Sequence, residues 1–362
     1  MSNKVRAIAF YLPQFFPTPE NDEWWEPGFT EWTNVTRAKP LFRGHYQPRL
    51  PKDLGFYDLR VPEVRERQAQ MARDAGIEGF CYWHYWFAGR RLLDRVFREV
   101  VESGKPDYPF CLCWANHSWK AKTWKPNEPD KMLIEQTYPG VQDYEDHFYA
   151  MLPAFKDKRY IKVDGKCLYG VFEPKDFSDA KTFMEVWNKL AKENGLEGFC
   201  FFALAQGMNK YRSFDHSLYD MVVFDKLIDT HINYQKSTIR CIVWKVLQKL
   251  HRPYLTSYDD YIKESLEIFK SDPSLMPCIN PDFDHSPRSS YKWIIMKGST
   301  PEKWGQFCSQ CAEILNSRKE RNQLLFIKSW NEWGEGNYLE PDQKFGSAYL
   351  DATRSAFSVI IP

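Results

Sequence analysis

Eight short, mostly apolar runs recur along the chain. Continuous apolar runs of this length are typical of β-strands buried on both faces, because a strand with one wet face alternates polar and apolar residues. The runs are Val5–Leu12, Ile77–Phe87, Pro109–Ala115, Lys166–Phe172, Gly198–Ala205, Met221–Phe224, Leu275–Asn280 and Leu324–Ser329. The pattern therefore predicts eight strands of a parallel sheet.

Helical periodicity occupies most of the intervals between these runs. Apolar residues recur at helical spacing before Gly76 and again before Gly195, and each glycine is placed to end its helix. The segment GIEGFCY that begins at Gly76 resembles the segment GLEGFCF that begins at Gly195. This internal similarity indicates a repeated helix–strand unit.

Eight strands that alternate with helices predict an α/β protein with a (β/α)8 TIM barrel, here with long βα loop insertions. We expect residues 1–362 to form a single barrel catalytic domain, with an extended loop or helical insertion at about 227–275. A doubly wound sheet is the alternative. Its main signals are missing, since no G-x-G-x-x-G follows the first strand and no G-x-x-x-x-G-K occurs.

Charge and cysteine content narrow the class of protein. Lys and Arg number 49 against 48 Asp and Glu, a net charge of +1 that argues against a nucleic-acid partner. No apolar run approaches the ~20 residues of a transmembrane helix. The nine cysteines lie mostly in apolar runs, which indicates reduced thiols. The N-terminal apolar run is also too short for a signal peptide, so we expect a cytoplasmic protein.

Aromatic and polar side chains concentrate where the predicted strands end, which is where TIM barrels carry out catalysis. Ten of the 14 tryptophans fall in these segments. Aromatic faces beside Asn, Asp and His suit sugar rings, so the concentration favours a carbohydrate cleft, with unusual barrel packing as the alternative. The candidate substrate-binding residues are Tyr11, Trp32, Tyr82, Trp83, His84, Trp114, Asn116, His117, Asp284, Trp330, Asn331 and Trp333.

Glu332 and Glu335 are the candidate catalytic residues. They lie three residues apart in the segment WNEWGEG, where glycines permit a tight turn that brings both carboxyls to one pocket. Tryptophan walls lower the local dielectric and raise the pKa of one carboxyl, which makes a general acid at neutral pH. Glycoside cleavage commonly needs two such carboxylates.

Asp282 and Asp284 leave a second chemistry open, because an Asp-x-Asp sequence also binds the metal of sugar-nucleotide transferases. The motif is short and common, and no His-Glu-x-x-His or zinc spacing accompanies it. We expect no metal and no cofactor.

One apolar stripe with helical spacing lies in the predicted insertion, between Ile239 and Leu250, and basic residues accompany it. A packed helix of the barrel or its insertion is one interpretation. A helix on a membrane surface is the other, so a peripheral membrane contact stays open.

The sequence resembles the WbsX-like family, which is described as lipopolysaccharide-biosynthesis glycosyltransferases and is related to glycoside hydrolase family 99. The resemblance covers most of the chain. It rests on the segments AFYLPQFFPTPENDEWWEPGFTEWTNV, GHYQPRLPKDLGFYDLR, IEGFCYWHYWF, PFCLCWAN and WNEWGEGNYLEPD.

Family 99 hydrolases are (β/α)8 endo-α-mannosidases, and their two catalytic glutamates have the spacing of Glu332 and Glu335. The resemblance implies that Glu332 takes the proton of the substrate's 2-hydroxyl, which attacks C1, while Glu335 protonates the leaving oxygen. It also matches Tyr11 and Asp284 to family positions. The chain departs from the family at His117 and His285, which bears on the identity of the sugar.

Two functions from different classes of enzyme follow. The first is retaining cleavage or transfer of an α-linked, mannose-like oligosaccharide or polysaccharide. The second is a glycosyltransferase that builds a surface polysaccharide, such as an O-antigen or capsule, from an activated sugar. A non-catalytic glycan-binding protein is a third hypothesis, but it would not need two acids at this spacing.

Overall fold

A computed structural model of the protein describes residues 5–121, 130–229, 238–318 and 323–358. Its centre is a closed barrel of eight parallel strands, each paired with the next along the chain, and the last strand pairs with the first. The barrel strands are β1 (Arg6–Tyr11), β2 (Gly79–Phe87), β3 (Phe110–Trp114), β4 (Lys166–Val171), β5 (Phe199–Gln206), β6 (Met221–Asp225), β7 (Leu275–Ile279) and β8 (Leu324–Ile327). The predicted (β/α)8 barrel is confirmed.

Helices connect the strands around the outside of the barrel. They are α1 (Pro19–Trp24), α2 (Glu31–Arg37), α3 (Pro62–Asp74), α4 (Arg95–Ser103), α5 (Val141–Phe155), α6 (Ala180–Glu193), α7 (Met208–Tyr211), α8 (Thr238–Lys249), α9 (Tyr258–Ser271), α10 (Ser286–Ser289), α11 (Pro301–Ser317) and α12 (Ala348–Ser358). The connection of residues 207–220 contains only α7 and one 3-10 turn, so this unit lacks a long covering helix.

Shorter strands lie outside the barrel pairing or extend it at the rim. They are Arg90–Leu92, Trp119–Ala121, Lys131–Ile134, Lys162–Val163, Tyr254–Ser257, Ile294–Lys297, Asn331–Glu332 and Asn337–Tyr338. The predicted insertion at about 227–275 includes α8, the strand Tyr254–Ser257 and α9, and residues 230–237 of it lie outside the described ranges.

Aromatic side chains fill the barrel interior, so it is a packed core and not a pore. Phe10 stacks on Trp83 with ring centroids 4.6 Å apart, and Phe326 lies between Phe10 and Phe202 at 5.7 and 5.0 Å. Gly170 leaves room for this packing, because a Cβ there would meet the Phe202 ring at 2.2 Å. The interior therefore closes beneath the carboxyl ends of the strands.

All nine cysteines are free, and eight of them are buried. Cys308 and Cys311 are among the buried ones, on α11, in agreement with a role in helix packing. Of the helices in the described ranges, none has the length and apolar character to cross a bilayer.

Candidate active site

A tight turn after β8 carries the two predicted catalytic glutamates. Strand Asn331–Glu332 pairs antiparallel with Asn337–Tyr338, and a 3-10 turn at Trp333–Glu335 connects them. Gly336 has a φ of +58°, and a Cβ there would lie 2.8 Å from the Asp284 Cβ. The sequence WGEG thus reverses the chain within a few residues.

Hydrogen bonds to backbone groups fix this turn against the neighbouring strand ends. The Asn331 Oδ1 accepts from the Leu12 amide at 2.7 Å, and its Nδ2 donates to the Leu12 carbonyl at 3.0 Å. The amide of Glu332 donates to Ser329 Oγ at 3.1 Å, and the amide of Asp284 donates to the Glu335 carbonyl at 2.6 Å. Both glutamates therefore sit on backbone that is anchored on two sides.

The Arg288 guanidinium joins three carboxylates at this point. Its Nη1 lies 2.6 Å from Glu335 Oε1, and its Nη2 lies 3.4 Å from Glu332 Oε2 and 2.9 Å from Glu31 Oε1. Glu31 lies on α2, and its carboxylate occupies the space where a side chain at position 334 would begin, 1.6 Å from a Cβ built there. The absence of a side chain at Gly334 thus lets a third carboxylate approach the pair.

Burial and charge push the pKa values of the two glutamates apart. Glu332 is only 6% exposed, and burial together with the Glu335 charge raises its pKa to about 7. Burial acts on Glu335 in the same direction, but the charges of Arg288 and Lys328 outweigh it and lower the pKa of Glu335. Of the two carboxyls, Glu332 is therefore the one that holds a proton up to about pH 7.

A buried lysine lies at the end of β8 and contributes to this electrostatic balance. Lys328 Nζ lies 3.8 Å from Asp225 Oδ2 at the end of β6. Burial would lower the pKa of Lys328, but Asp225, Glu335 and Glu332 raise it, so the ammonium stays charged. Its positive charge favours the ionised form of both glutamates.

An aromatic wall approaches Glu332 from β2 and β4. Trp83 Nε1 donates to Glu332 Oε1 at 3.2 Å, and the Phe172 ring meets Trp83 edge to face at 5.3 Å. The His117 ring is 5.1 Å from Phe172, and the Lys210 ammonium lies 5.0 Å from the same ring. Burial and the Lys210 charge lower the pKa of His117 to about 4, so its imidazole is neutral.

Residues 7–353 match the protein family described as "Glycosyltransferase WbsX". The chain belongs to this family. Two curated relatives, each named "Uncharacterized protein WxcX", come from strains of Xanthomonas campestris pv. campestris. They are 35% identical over 357 residues, which is 97% of this chain and 49% of theirs. This WbsX family chain thus spans about half the length of the curated relatives it matches.

Solved structures with a similar fold are glycoside hydrolase-like barrels. One, titled "Glycoside hydrolase-like protein", aligns with a TM-score of 0.59 at 13% identity over 98% of this chain and 94% of its own. The GH99 endo-alpha-mannosidase from Bacteroides thetaiotaomicron aligns with a TM-score of 0.56 at 12% identity, over 98% and 97% of the two chains. The WbsX family chain therefore has a glycoside-hydrolase-like barrel, as its sequence resemblance predicts.

The structure directs the predicted Tyr11 and Tyr82 side chains away from the glutamates. The Tyr11 hydroxyl donates to Gln68 Oε1 on α3 at 2.7 Å. Tyr82 packs on Tyr11 at 4.6 Å and on Phe97 of α4 at 5.2 Å. Because successive side chains of a strand point to opposite faces, Tyr82 lies under the helices while Trp83 points inward. Their placement does not support the prediction that these tyrosines contact substrate.

His84 and Trp114 also face the helix layer. His84 Nε2 lies 2.7 Å from Nε2 of His147 on α5, and burial lowers the pKa of His84 to about 3. Trp114 is fully buried, and its Nε1 donates to the Trp86 carbonyl at 3.1 Å. These side chains are enclosed between strand and helix, and substrate contact through them stays a prediction.

The predicted tryptophans of the outer loops pack on one another. Trp333 is 1% exposed and donates from Nε1 to Glu340 Oε2 at 2.6 Å, and its ring lies 5.4 Å from Trp32. Trp330 is fully buried and packs on Phe80 at 5.2 Å. These residues are packed in the structure, and their predicted contact with substrate stays a prediction. Trp124, one of the ten tryptophans near the ends of the predicted strands, lies outside the described residues.

Asn116, Asn331 and Asp284 hold loops together. Asn116 is fully buried and bonds both the amide and the carbonyl of Glu173, at 2.8 and 3.0 Å. The side chain of Asn331 makes the two hydrogen bonds to the backbone of Leu12. Asp284 is also fully buried. All three side chains bond the loops that carry the site. Their placement does not support the predicted direct contact with substrate.

The two aspartates of the Asp-x-Asp motif, whose alternative role is metal binding, contact protein donors. Asp284 Oδ2 accepts from His45 Nε2 at 2.8 Å and Gln47 Nε2 at 2.7 Å. Asp282 pairs with Arg49 at 2.8 Å. Both carboxylates are thus engaged by protein donors, and within the described ranges no three His, Cys, Asp or Glu side chains converge as potential metal ligands.

Sequence reasoning missed Arg288, Lys328 and Glu31 as parts of the site. Glu31 stands in the Trp-rich segment after β1, which was the one available signal. Arg288 follows β7 in a polar segment, and Lys328 ends an apolar run, so no motif distinguishes either of them. Their meeting with the glutamates depends on which loops the closed barrel brings together.

Proposed function

We propose that this WbsX family protein is a glycoside-active enzyme in which Glu332 and Glu335 are the acid–base pair. The observation that carries the proposal is that one buried and one half-buried carboxyl group of the same turn have pKa values shifted in opposite directions around a shared Arg288. Pairs whose environments separate their pKa values in this way are typical of acid–base catalysis at glycosidic bonds.

The reaction we propose is retaining cleavage or transfer of an α-linked, mannose-like glycan through the substrate's 2-hydroxyl. Glu332 takes the O2 proton, O2 bonds to C1, and the C1–oxygen bond to the leaving group breaks as Glu335 protonates that oxygen. Water or a sugar hydroxyl then attacks C1 and gives its proton to Glu335. The C1–O2 bond breaks, and Glu332 returns the proton to O2.

Such a route needs the proton on Glu335 when substrate is bound, whereas the contacts described above raise the pKa of Glu332 and lower that of Glu335. We propose that bound substrate separates Arg288 from Glu335. Loss of that charge raises the pKa of Glu335, and Arg288 then remains with Glu332 and Glu31 and lowers the pKa of Glu332. The alternative is an exchange of roles, with Glu332 as the acid and Glu335 as the base.

The aromatic wall supports a sugar as the substrate. Trp83 and Phe172 meet beside Glu332, and apolar ring faces complement the C–H faces of a pyranose. His117 is neutral and adjacent, so it can exchange hydrogen bonds with sugar hydroxyls. Two of the predicted substrate-binding residues, Trp83 and His117, therefore stay in the proposal.

A second candidate function is transfer from an activated sugar, and a cationic groove favours it. The groove has a volume of about 490 Å³, and its lining includes Arg288, Arg37, Lys39 and Lys292. Cationic side chains of this kind recognise a diphosphate through charge-assisted hydrogen bonds. If the protein is such a transferase, the groove binds the nucleotide that leaves, and the glutamates act on the sugar that accepts the transferred group.

Structures with a mannose-type iminosugar and, separately, with GDP-mannose test the proposal. We expect the iminosugar ring between Glu332 and Glu335, with Trp83 beside it. If GDP-mannose instead places its diphosphate along the Arg37–Lys39 groove while the iminosugar does not bind, transfer from a sugar nucleotide replaces our proposal.

A further inference from the structure

Helix α8 presents an apolar stripe to solvent. Its exposed apolar residues recur at helical spacing and lie within about 100° of arc around the axis. They are Ile239, Ile242, Val243, Val246 and Leu250, with exposed fractions of 74%, 56%, 44%, 49% and 64%. An apolar face of this kind on a soluble protein marks a surface for binding a partner or a membrane.

The fold does not need this stripe for its own packing. The opposite side of α8 carries the half-buried Cys241, Trp244 and Leu247. Its C-terminal end is fixed to the segment after α10, because Gln248 Nε2 donates to the Tyr291 carbonyl at 3.0 Å and the His251 ring lies 5.0 Å from Tyr291. Within the part of the chain that the structure describes, the helix is therefore attached by one face while the other is exposed.

The charged residues of the helix and of its C-terminal end have one sign. Lys245 and Lys249 follow one border of the stripe on the helix, and Arg252 comes directly after it. Residues 238–252 contain no Asp or Glu. An apolar stripe with a cationic border is the pattern of a helix that lies in the headgroup region of an anionic bilayer, where lysine stems extend toward the phosphates.

We infer that α8 docks this protein on an anionic lipid surface, with the stripe in the acyl boundary and Lys245 and Lys249 at the phosphates. The helix lies on the bilayer and does not cross it. A second copy of the chain or a protein partner suits the stripe less well, because neither explains a border of cationic side chains without acidic ones.

The position of α8 connects this surface with the proposed active site. Tyr291, which α8 contacts, lines the same groove as Arg288, together with Lys292. A bilayer on α8 would therefore lie beside this groove, which shares Arg288 with the candidate site, and a glycan carried on a lipid could reach the groove. Docking itself does not depend on the proposed reaction.

Co-sedimentation with lipid vesicles tests the inference. We expect the protein to bind vesicles of phosphatidylglycerol and phosphatidylethanolamine and to stay in solution with vesicles of phosphatidylcholine alone. The double variant I242E/V246E should lose tenfold or more of this binding. K245Q and K249Q should each weaken it by about fivefold, and 0.5 M salt should reduce binding of the unmodified protein.

The matched control is V141E, which alters an exposed valine of α5 with a similar exposed fraction of 48%. It should bind vesicles like the unmodified protein, and circular dichroism should show all variants folded. Turnover of a soluble oligosaccharide should be unchanged in I242E/V246E, which separates docking from catalysis. Absent vesicle binding, an equal loss in V141E, or a dimer that I242E/V246E converts to monomer would overturn the inference.

Discussion

Arg288 Nη1 donates to Glu335 Oε1 over 2.6 Å, the tighter of its contacts with the two glutamates on the turn after β8. This contact keeps Glu335 ionised, while Glu332, more weakly paired at 3.4 Å and packed under Trp83, keeps a proton to about pH 7. Burial of Glu332 and the charges of Arg288 and Lys328 together determine which carboxyl of the pair holds the proton.

Replacing Arg288 with Gln should move the pH dependence of kcat/KM to higher pH. Without the guanidinium charge, the pKa values of both glutamates rise, and a shift of about one pH unit is expected for a lost opposite charge at this distance. R288K keeps the charge and should shift the profile less. A rate that falls while the pH profile keeps its position would limit Arg288 to a structural role.

The two glutamates should have opposite effects on stability at pH 8. The folded pKa of Glu332 is about 7 against an ordinary 4.5, so ionisation destabilises the folded state progressively from pH 4.5 to 7 and fully above it. This difference corresponds to about 3 kcal/mol at 1.36 kcal/mol per pH unit. E332Q should therefore raise the Tm at pH 8 and leave it nearly unchanged at pH 4.

E335Q is the matched comparison. The folded pKa of Glu335 is lowered, so its ionised form contributes stability above the ordinary pKa of 4.5, and this contribution disappears as pH falls. The variant should lower the Tm at pH 8 and less so at pH 4. Thermal denaturation of both variants at the two pH values checks these signs, and a lower Tm for E332Q at pH 8 would contradict the account.

The barrel was predictable from sequence because each strand is buried on both faces and reads as one apolar run. All eight predicted strands end within two residues of the observed ends, as β2 illustrates, predicted at Ile77–Phe87 and found at Gly79–Phe87. That Glu332 and Glu335 lie close together after the last strand was also predictable, because a short turn that contains glycine keeps nearby residues together in space.

The lining of the site was less predictable. Tyr82 and Trp83 are adjacent aromatic residues of β2, yet one packs under α4 and the other donates to Glu332. A continuous apolar run does not reveal which of its faces points inward, so the sequence alone does not tell which of its aromatic residues lie beside the glutamates. Arg288 and Glu31 come from separate loops, and their meeting depends on the closure of the barrel.

Chelation should leave activity unchanged. Asp282 and Asp284 are engaged by Arg49 and by His45 and Gln47, so they do not offer free ligands to a cation. Turnover measured after EDTA treatment and gel filtration should match that of untreated protein. Loss of turnover that Mn²⁺ or Mg²⁺ restores would make this motif a metal site and favour the transferase.

The 2-hydroxyl of the substrate should be essential, because it is the nucleophile of the proposed route. A 2-deoxy or 2-fluoro analogue should bind and not react, and intact-mass spectrometry should find no sugar attached to the protein. Normal turnover of the 2-deoxy analogue would exclude participation of the 2-hydroxyl. A 2-fluoro sugar attached to Glu332 would make that residue a direct nucleophile.

The most direct test of the acid–base pair is the turnover of two α-mannosides by E335Q and E332Q. One substrate has a sugar as its leaving group, and the other has dinitrophenol, which departs without a proton. With the sugar leaving group, we expect both variants to lose on the order of 10²–10⁴-fold in rate. With dinitrophenol, E335Q should recover much of its rate for the first step, because this leaving group needs no proton. E332Q should stay inactive, because the reaction still needs a base to take the proton of the 2-hydroxyl. If only E332Q recovers its rate with dinitrophenol, Glu332 is the acid and Glu335 is the base. Full activity of both variants on the sugar substrate would contradict the account.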